Sequence, residues 1–236
     1  MKRITSLVLL SFAATTLLFA QQSNSSGGEH SSGASLRFED GELLSAEKLN
    51  ANLHLSQTTV DCAAGESIME ALRTHNHITI QGICRENVRI DPVDSDEGTL
   101  SRSVYLLEGA DDSGNHGIEA DDPEEKVLRV DLINLIGVFN LRLKGGETGF
   151  SGYATNVFLE NLIIENNSGR GIWVGNSNLM LNDSTIQNNG ESGVTLSSSS
   201  FGELKGSTFS NNGMRGISAH ASDVILKDVT VANNTK

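Results

Sequence analysis

The sequence is poor in proline, aromatic residues and basic side chains. Its 236 residues include two prolines, and aromatic residues make up 5% of the chain, which suits a single elongated β domain. Seventeen lysines and arginines stand against 30 aspartates and glutamates, so the net charge is −13. Nucleic acids and anionic membrane surfaces bind basic patches, and the sequence has none. We therefore expect neither of them as a partner.

Long apolar runs are also scarce, and the one at the N-terminus has the pattern of a secretory signal peptide. Lys2 and Arg3 precede an uncharged apolar stretch over residues 4–19, and Ala20 is a plausible cleavage residue. The stretch is shorter than the ~20 residues that a membrane-spanning helix needs. We predict a signal peptide at residues 1–20, a secreted, periplasmic or extracellular location, and no membrane span after its removal.

Two short segments follow the signal peptide. Residues 21–35 are mostly Gln, Ser, Asn and Gly, a composition that predicts a flexible linker. Residues 36–56 form a short N-terminal motif. Its stretch FEDGELLSAEKLN, at 38–50, is similar to a sequence near the start of phage tail-fibre and related surface proteins. Ser45 is expected to cap a short helix in this motif.

The strongest signal is an internal repeat over residues 157–236. Paired asparagines recur at steps of 22, 23 and 22 residues: Asn166-Asn167, Asn188-Asn189, Asn211-Asn212 and Asn233-Asn234. A glycine followed by an aliphatic residue recurs in the same frame: Gly171-Ile172, Gly193-Val194 and Gly216-Ile217. A fixed period of this length predicts a repeat architecture.

Each repeat contains three short strands. The residues Val157 and Leu159, which are of the type found in cores, are two positions apart, as on one face of a strand. A second strand is predicted at Leu162–Ile164. A third is predicted at Gly171–Val174, after the asparagine pair. One residue separates the first two strands, and in successive repeats it is Asn140, Asn161, Asp183, Gly206 or Asp228. These residue types tolerate the left-handed backbone, so we predict a one-residue bend.

Three strands in about 22 residues predict a coil that stacks on the next coil at about 4.8 Å, with equivalent strands paired in parallel. Equivalent residues then form ladders. We expect an inward apolar ladder of Ile164, Ile186, Phe209 and Val231, and an outward ladder of Ile163, Thr185, Thr208 and Thr230. The asparagine pairs are expected to form amide ladders, which stabilise stacked strands.

This pattern, with its phrase Asn-Asn-x-x-x-Gly-Ile, resembles the right-handed parallel β-helix of the pectin-lyase-like proteins over residues 127–236. The resemblance implies an all-β fold: a right-handed parallel β-helix of about 22-residue coils over residues 57–236, with a short N-terminal capping helix. It implies no particular activity, because the same scaffold has many functions.

Cys62 and Cys84 are the only cysteines, and both follow the predicted signal peptide. In an oxidising compartment they are expected to form a disulfide, which would contribute roughly 3 kcal/mol. The intervening residues 67–72 place four apolar side chains on one helical face. Because such a segment commonly covers the end of secreted β-helices, we assign it the role of the cap.

Acidic residues concentrate between Glu108 and Glu125. Four aspartates, Asp111, Asp112, Asp121 and Asp122, are the candidate ligands for Ca²⁺, which prefers oxygen donors. The alternative is a solvated acidic loop, because the segment lacks the D-x-D-x-D-G spacing of known calcium loops. In the repeat frame, we place this segment in the loop that holds the asparagine pairs in later coils.

The resemblance places a sugar-binding groove on the outer face of the third strand. If Val130 and Leu132 point inward, the outward residues are Arg129, Asp131, Gly152, Trp173, Thr195 and Ser218. Trp173 is expected to stack on a sugar ring. Arg170 and Arg215 share a loop position two coils apart, and are expected to bind uronate carboxylates. The alternatives are a tryptophan that covers its neighbours and arginines that keep an acidic protein soluble.

Catalysis remains open. Glycoside hydrolysis needs two carboxyl groups and elimination needs a base, whereas the last three outward residues include no carboxylate. The polygalacturonase phrases of the resembled family are not reproduced in order. Arg129 and Asp131 are therefore the only catalytic candidates.

Three functions are compatible with the sequence. The first is a secreted β-helix that binds polysaccharide or acts at the cell surface, the second is a lyase or hydrolase of acidic glycans, and the third is a structural or adhesive surface protein. The sequence stops inside a coil, at residues 233–236, so we expect either that another chain covers this end or that further coils follow Lys236, and we favour the second.

Overall fold

The computed structural model describes residues 55–91 and 104–236. The predicted signal peptide, the predicted linker and nearly all of the N-terminal motif lie outside the described residues. In the described part of the chain, no helix is long and apolar enough to cross a membrane.

The chain consists of short strands with a little helix near its N-terminal end. Residues 55–91 form the strands β1 (Gln57–Asp61), β2 (His77–Gln81), β3 (Ile83–Arg85) and β4 (Val88–Ile90), a 3-10 turn (Cys62–Ala64) and the helix α1 (Ile68–Leu72). Residues 104–236 form β5 (Val104–Gly109), β6 (Gly117–Glu119), β7 (Leu128–Asp131), β8 (Leu135–Phe139), β9 (Arg142–Lys144), β10 (Phe150–Tyr153), β11 (Asn156–Glu160), β12 (Ile163–Glu165), β13 (Ile172–Gly175), β14 (Asn178–Asn182), β15 (Thr185–Gln187), β16 (Val194–Ser197), β17 (Phe201–Lys205), β18 (Thr208–Ser210), β19 (Ile217–Ala219), β20 (Asp223–Lys227) and β21 (Thr230–Ala232).

The strands form three parallel sheets that run along a stack of coils. The first sheet has the order β1-β2-β5-β8-β11-β14-β17-β20, the second β3-β6-β9-β12-β15-β18-β21, and the third β4-β7-β10-β13-β16-β19. Each complete coil gives one strand to each sheet, and equivalent strands of successive coils pair in parallel. The predicted all-β solenoid is therefore confirmed.

The apolar core fills the inside of the coils. Ile164, Ile186 and Phe209 are register partners in the second sheet and are completely buried. The fourth predicted member, Val231, is the register partner of Phe209, but it is 53% exposed. Val231 lies on β21 at the edge of the second sheet, where no further described strand covers it.

The predicted bend between the first and second strands of a coil is confirmed. Asn140, Asn161, Asp183, Gly206 and Asp228 all have positive φ, between 47° and 60°. This conformation crowds the Cβ atom of most residues, and Asn, Asp and Gly are the residues that tolerate it best. The recurrent choice of these residues therefore has a backbone cause.

The two members of each asparagine pair have different roles. The first member occupies a second left-handed position, as in Asn166 and Asn188, with φ values of 56° and 55°. The second members form the buried amide ladder Asn167, Asn189, Asn212 and Asn234, with Nδ2 to Oδ1 distances of 2.9, 3.0 and 2.9 Å. The sequence predicted amide ladders for both members, and the structure shows one ladder of side-chain amides.

The acidic segment is organised differently from the prediction. The strand β6 divides it into two loops, and the first loop, over residues 110–116, replaces the one-residue bend of other coils. This first loop folds against the second sheet, where a Cβ on Gly114 would be 3.2 Å from the Ile163 side chain. The loop therefore lies close to Ile163, the apolar member of the predicted outward ladder.

The N-terminal end of the stack is covered by helix α1. Ile68 and Leu72 point into the core, and the side chain of Ser67 caps the helix by accepting from the Glu70 N–H. A disulfide joins Cys62 to Cys84, as predicted. The stack begins one strand earlier than predicted, because β1 pairs with β2 in the first sheet.

Candidate functional site

The outer face of the third sheet has two rows of side chains that cross successive coils. The first row consists of Arg129, Ser151, Trp173, Thr195 and Ser218. The second row consists of Asp131, Tyr153, Gly175 and Ser197. Side chains of alternate residues on these strands point to the core, as Val130 and Val174 do.

Two predictions about these rows are wrong. Gly152 was expected on the outer face, but it is paired with the buried residues Val130 and Val174. Ser151 takes the outer position instead. Leu132 was expected to point inward, but it is 55% exposed. It lies after the end of β7 in a left-handed turn with φ of 58°, where the strand alternation no longer applies.

The two rows and the loops before the third strands enclose a cleft of about 330 Å³. Its lining residues are Lys126, Arg129, Asp131, Glu147, Thr148, Ser151, Tyr153, Arg170 and Trp173. The structure therefore brings together Trp173, Arg170, Arg129 and Asp131, which the sequence predicted as site residues. The fifth predicted residue, Arg215, is exposed and does not line the cleft.

Two aromatic rings form the apolar part of the cleft. The rings of Tyr153 and Trp173 are within 10° of parallel, and their centroids are 6.5 Å apart. Tyr153 is 43% exposed, and its hydroxyl group gives the ring a polar edge. Because the two residues belong to adjacent coils, this stacked aromatic pair spans two coils.

The two arginines of the cleft are held by carboxylates in the same way. The Nε of Arg129 lies 2.6 Å from Oδ2 of Asp131, and the Nε of Arg170 lies 3.2 Å from Oε2 of Glu191. Contact at Nε orients the guanidinium plane, whereas two-point recognition of a ligand carboxylate uses a pair of guanidinium nitrogens. Arg89 and Asp91 repeat the Arg129–Asp131 arrangement one coil earlier, with a distance of 2.5 Å.

A smaller cluster of charges lies where the chain enters the third strands. The Nζ of Lys126 is 3.8 Å from Oε2 of Glu147, and the Thr148 hydroxyl donates to the same oxygen at 2.7 Å. The cleft thus has three cationic side chains and two carboxylates in a chain of net charge −13. With Glu191, which pairs with Arg170 at the edge of the cleft, three cationic side chains stand beside three carboxylates, so the charges of the cleft balance.

Five lining residues were not predicted as site residues: Lys126, Glu147, Thr148, Ser151 and Tyr153. A signal for two of them is present in the sequence. The recurring Gly-aliphatic pair has an earlier equivalent, Gly149-Phe150, in which the apolar residue is aromatic. Alignment of this pair with Gly171-Ile172 places Ser151 beside Trp173 and puts Tyr153 on the outer face, as the structure does.

The sequence profile of a family described as "Right handed beta helix region" matches residues 111–236, which is more than half of the chain. The chain belongs to the right-handed β-helix family. The predicted handedness of the solenoid is thereby confirmed. Neither the comparison with curated proteins nor the comparison with solved structures returned a match. Membership establishes the fold of this β-helix and leaves its activity to be argued from the cleft.

The four candidate calcium ligands of this β-helix are not gathered at one point. Asp111 accepts from the Ser113 N–H at 2.8 Å and lies 3.1 Å from Nε2 of His116. A hydrogen bond with the Ser113 side chain, followed by these two contacts, lowers the pKa of Asp111 to about 2. Asp122 lies in the second loop, where it accepts from the Glu124 N–H at 2.9 Å. Both carboxylates therefore stabilise loop conformation.

Within residues 55–91 and 104–236, no three His, Cys, Asp or Glu side chains are grouped so that they could hold a metal ion. The calcium site stays a prediction from composition, without support from the geometry of the acidic loops. The cleft is the better candidate for a functional site, because it combines a concave shape with converging polar and aromatic side chains.

Proposed function

We propose that the protein is a secreted, right-handed β-helix that binds acidic polysaccharide in the cleft of its third sheet. The observation that supports this most strongly is the parallel pair Tyr153 and Trp173 beside three cationic side chains. Aromatic rings contribute contact area of fixed geometry to the apolar faces of sugars. Arginine and lysine bind carboxylates through charge-assisted hydrogen bonds. The combination suits a chain of uronate-containing sugars.

Each part of the cleft has a distinct task in this proposal. The aromatic pair stacks on the sugar rings and gives the site its affinity for pyranose faces. Arg170 and Lys126 attract the carboxylates from the side where the chain enters the third strands. Arg129 contributes a further cationic group, oriented by Asp131. The acidic remainder of the protein repels an anionic ligand, so binding is expected to concentrate at this cleft.

Arg129 is a poor candidate for the base of an elimination reaction. An elimination base must reach and accept a proton of the sugar ring, whereas the Arg129 Nε is already engaged by the Asp131 carboxylate at 2.6 Å. The ion pair therefore favours a binding role for Arg129 over a role as a base.

Hydrolysis is a second candidate, because the cleft contains two carboxylates. Asp131 lies at the end of β7, and Glu147 lies before the start of β10, so they approach the cleft from opposite ends of the third strands. Glycoside hydrolases place two carboxyl groups on either side of the scissile bond. This arrangement was not visible in the sequence, where Glu147 had not been predicted as a site residue.

Binding is tested by titrating the protein with polyuronates and neutral polysaccharides and following tryptophan fluorescence and heat. We expect a saturable response to polyuronates. The affinity should fall as the salt concentration rises, because salt screens partly exposed ion pairs between the ligand carboxylates and the cationic side chains of the cleft. Trp173→Ala should reduce affinity about tenfold with little change in melting temperature.

Arg170 and Arg215 form a matched pair of variants. Both occupy the same loop position, two coils apart, but only Arg170 lines the cleft. Arg170→Ala should weaken polyuronate binding and its salt dependence, whereas Arg215→Ala should leave both unchanged. Equal effects of the two substitutions would show that binding depends on overall charge and would refute the cleft as the site.

Hydrolysis is tested separately. The same polysaccharides are incubated with the protein and assayed for new reducing ends, and for the absorbance of unsaturated uronates with and without Ca²⁺. New reducing ends without unsaturated uronates, absent in Asp131→Asn and Glu147→Gln, would establish hydrolysis, whereas new reducing ends together with unsaturated uronates would establish elimination. Binding without either product would establish a non-catalytic site.

A further inference from the structure

We propose that Gly175 is a positioning residue of the cleft, and that it sets the number of sugar units that the cleft binds. This inference rests on the proposed glycan-binding function. The absence of a side chain at Gly175 allows the Trp173 ring to stack beside Tyr153, so that two adjacent coils each present one ring at the cleft.

The space beside Gly175 is occupied by the two aromatic rings. A Cβ atom added at Gly175 would lie 2.7 Å from Cη2 and 2.9 Å from Cζ2 of Trp173, and 3.3 Å from Cδ2 of Tyr153. Contacts below 3.0 Å essentially do not occur for real Cβ atoms. Any other residue at this position would therefore displace the indole ring.

The backbone does not require glycine at this position. Gly175 lies in the extended strand β13 and is not among the residues with positive φ, in contrast to Gly206 with φ of 60°. Its register partners Tyr153 and Ser197 both have side chains. Glycine within a strand is unfavourable unless something approaches the backbone closely. At Gly175, the approaching group is the Trp173 ring.

The paired rings have a consequence for the length of the ligand. Tyr153 and Trp173 belong to adjacent coils, and coils are spaced by about 4.8 Å. Each ring has a face of about the size of one sugar ring. A single sugar can use one ring only, whereas two linked sugars can use both. The cleft is therefore selective for ligands of two or more units.

The test compares uronate monomers, dimers and trimers in titrations of the wild type, Gly175→Ala and Tyr153→Ala. In the wild type, affinity should rise about three- to tenfold from monomer to dimer, beyond the statistical effect of length. In Gly175→Ala and in Tyr153→Ala, affinity should no longer rise from monomer to dimer. Combining these two substitutions should have no additional effect on the dependence of affinity on ligand length. Ser197→Ala, one coil further along the same row, is the matched control and should keep the rise.

A measurement without ligand tests the positioning itself. In Gly175→Ala, the emission maximum of the single tryptophan and its quenching by acrylamide should both change, and in Ser197→Ala neither should. Unchanged emission and quenching in Gly175→Ala would overturn the positioning role, even if the wild type binds polyuronates.

The possible outcomes are separable. Absence of any polyuronate binding by the wild type refutes the proposed function, whereas binding with an unaltered length dependence in Gly175→Ala refutes this inference alone. If Gly175→Ala lowers the melting temperature, the double variant Trp173→Phe, Gly175→Ala should restore it, because the smaller ring leaves room for the added methyl group. Failure to restore it would show that the ring is not what excludes a side chain at Gly175.

Discussion

The Oδ1 atom of Asn189 accepts two hydrogen bonds from Asn167, one coil below: from the backbone N–H at 3.2 Å and from Nδ2 at 2.9 Å. The Nδ2 of Asn189 in turn donates to the next asparagine of the ladder, Asn212, at 3.0 Å and to the Ile164 carbonyl at 3.2 Å. One side chain thus satisfies polar groups in three coils, in a place that water does not reach.

Replacement of Asn189 by alanine should therefore destabilise the protein strongly. Each buried polar group that is left without a partner costs about 1–3 kcal/mol, and several lose theirs at once. We expect a loss of at least about 2 kcal/mol in urea unfolding. The adjacent Asn188 is exposed and has φ of 55°, so Asn188→Gly should change the free energy by about 0.5 kcal/mol or less. Similar losses in the two variants would contradict the ladder.

The left-handed backbone conformation of Asp183 can be tested by substitution. Its φ of 47° is unfavourable for a β-branched residue and acceptable for glycine. Asp183→Val should destabilise the protein by about 1–3 kcal/mol, and Asp183→Gly should be mild. Both substitutions remove the same charge, so their difference in thermal melting isolates the backbone term. Equal tolerance of valine and glycine would be incompatible with this bend.

Glu160 makes stability depend on pH. Burial raises the pKa of its carboxyl group, and the nearby charge of Asp183 raises it further, against the opposing effects of Asn182 and Lys205. The folded state therefore favours the protonated form, and the charged form destabilises the fold as pH rises above the ordinary value of 4.5. Glu160→Gln should be more stable than the wild type at pH 7.

The advantage of Glu160→Gln should disappear near pH 4, where the wild-type carboxyl group is protonated in both states. Urea unfolding at the two pH values measures this. A stability difference that does not vary with pH would mean that the charge of Glu160 is not the cause.

The disulfide between Cys62 and Cys84 joins the 3-10 turn to β3 and so holds the cap on the first coil. Reduction should lower stability by about 3 kcal/mol. The intact mass should be two hydrogens lower than that of the reduced protein, and the double variant Cys62→Ser, Cys84→Ser should match the reduced protein in thermal melting. Alkylation of either cysteine before reduction, in protein prepared under oxidising conditions, would refute the bond.

The sequence was most informative where one local rule governs the residue type. Asn161 and Asp183 occupy left-handed positions that few residue types tolerate, so the backbone conformation is visible in the sequence itself. The apolar ladder of Ile164 and Ile186 is visible for a similar reason, because both positions are completely buried between coils and hold apolar side chains. Each of these features involves one residue position that recurs once in every coil.

The cleft could be predicted only in part, because it depends on which loops approach the sheet. Trp173 was identified by its strand position, whereas Glu147 and Lys126 belong to loops whose side-chain directions follow no strand alternation. Tyr153 was missed for another reason: an aromatic residue, Phe150, replaces the aliphatic one that marks the start of the third strand in later coils. Because this strand start was missed, the predicted register of β10 was shifted by one residue, and Gly152 was placed on the outer face instead of Ser151.

The loop over residues 110–116 shows how this architecture can acquire new parts. It stands where other coils have a single bend residue, and yet β5 and β6 on either side keep their register with the coils above and below. The corner between the first and second strands therefore accepts inserted peptide without a shift in the stack. Grafting of foreign epitopes, or evolutionary gain of a new recognition loop, should succeed at the equivalent corners after Phe139 or Glu160 before it succeeds within any strand.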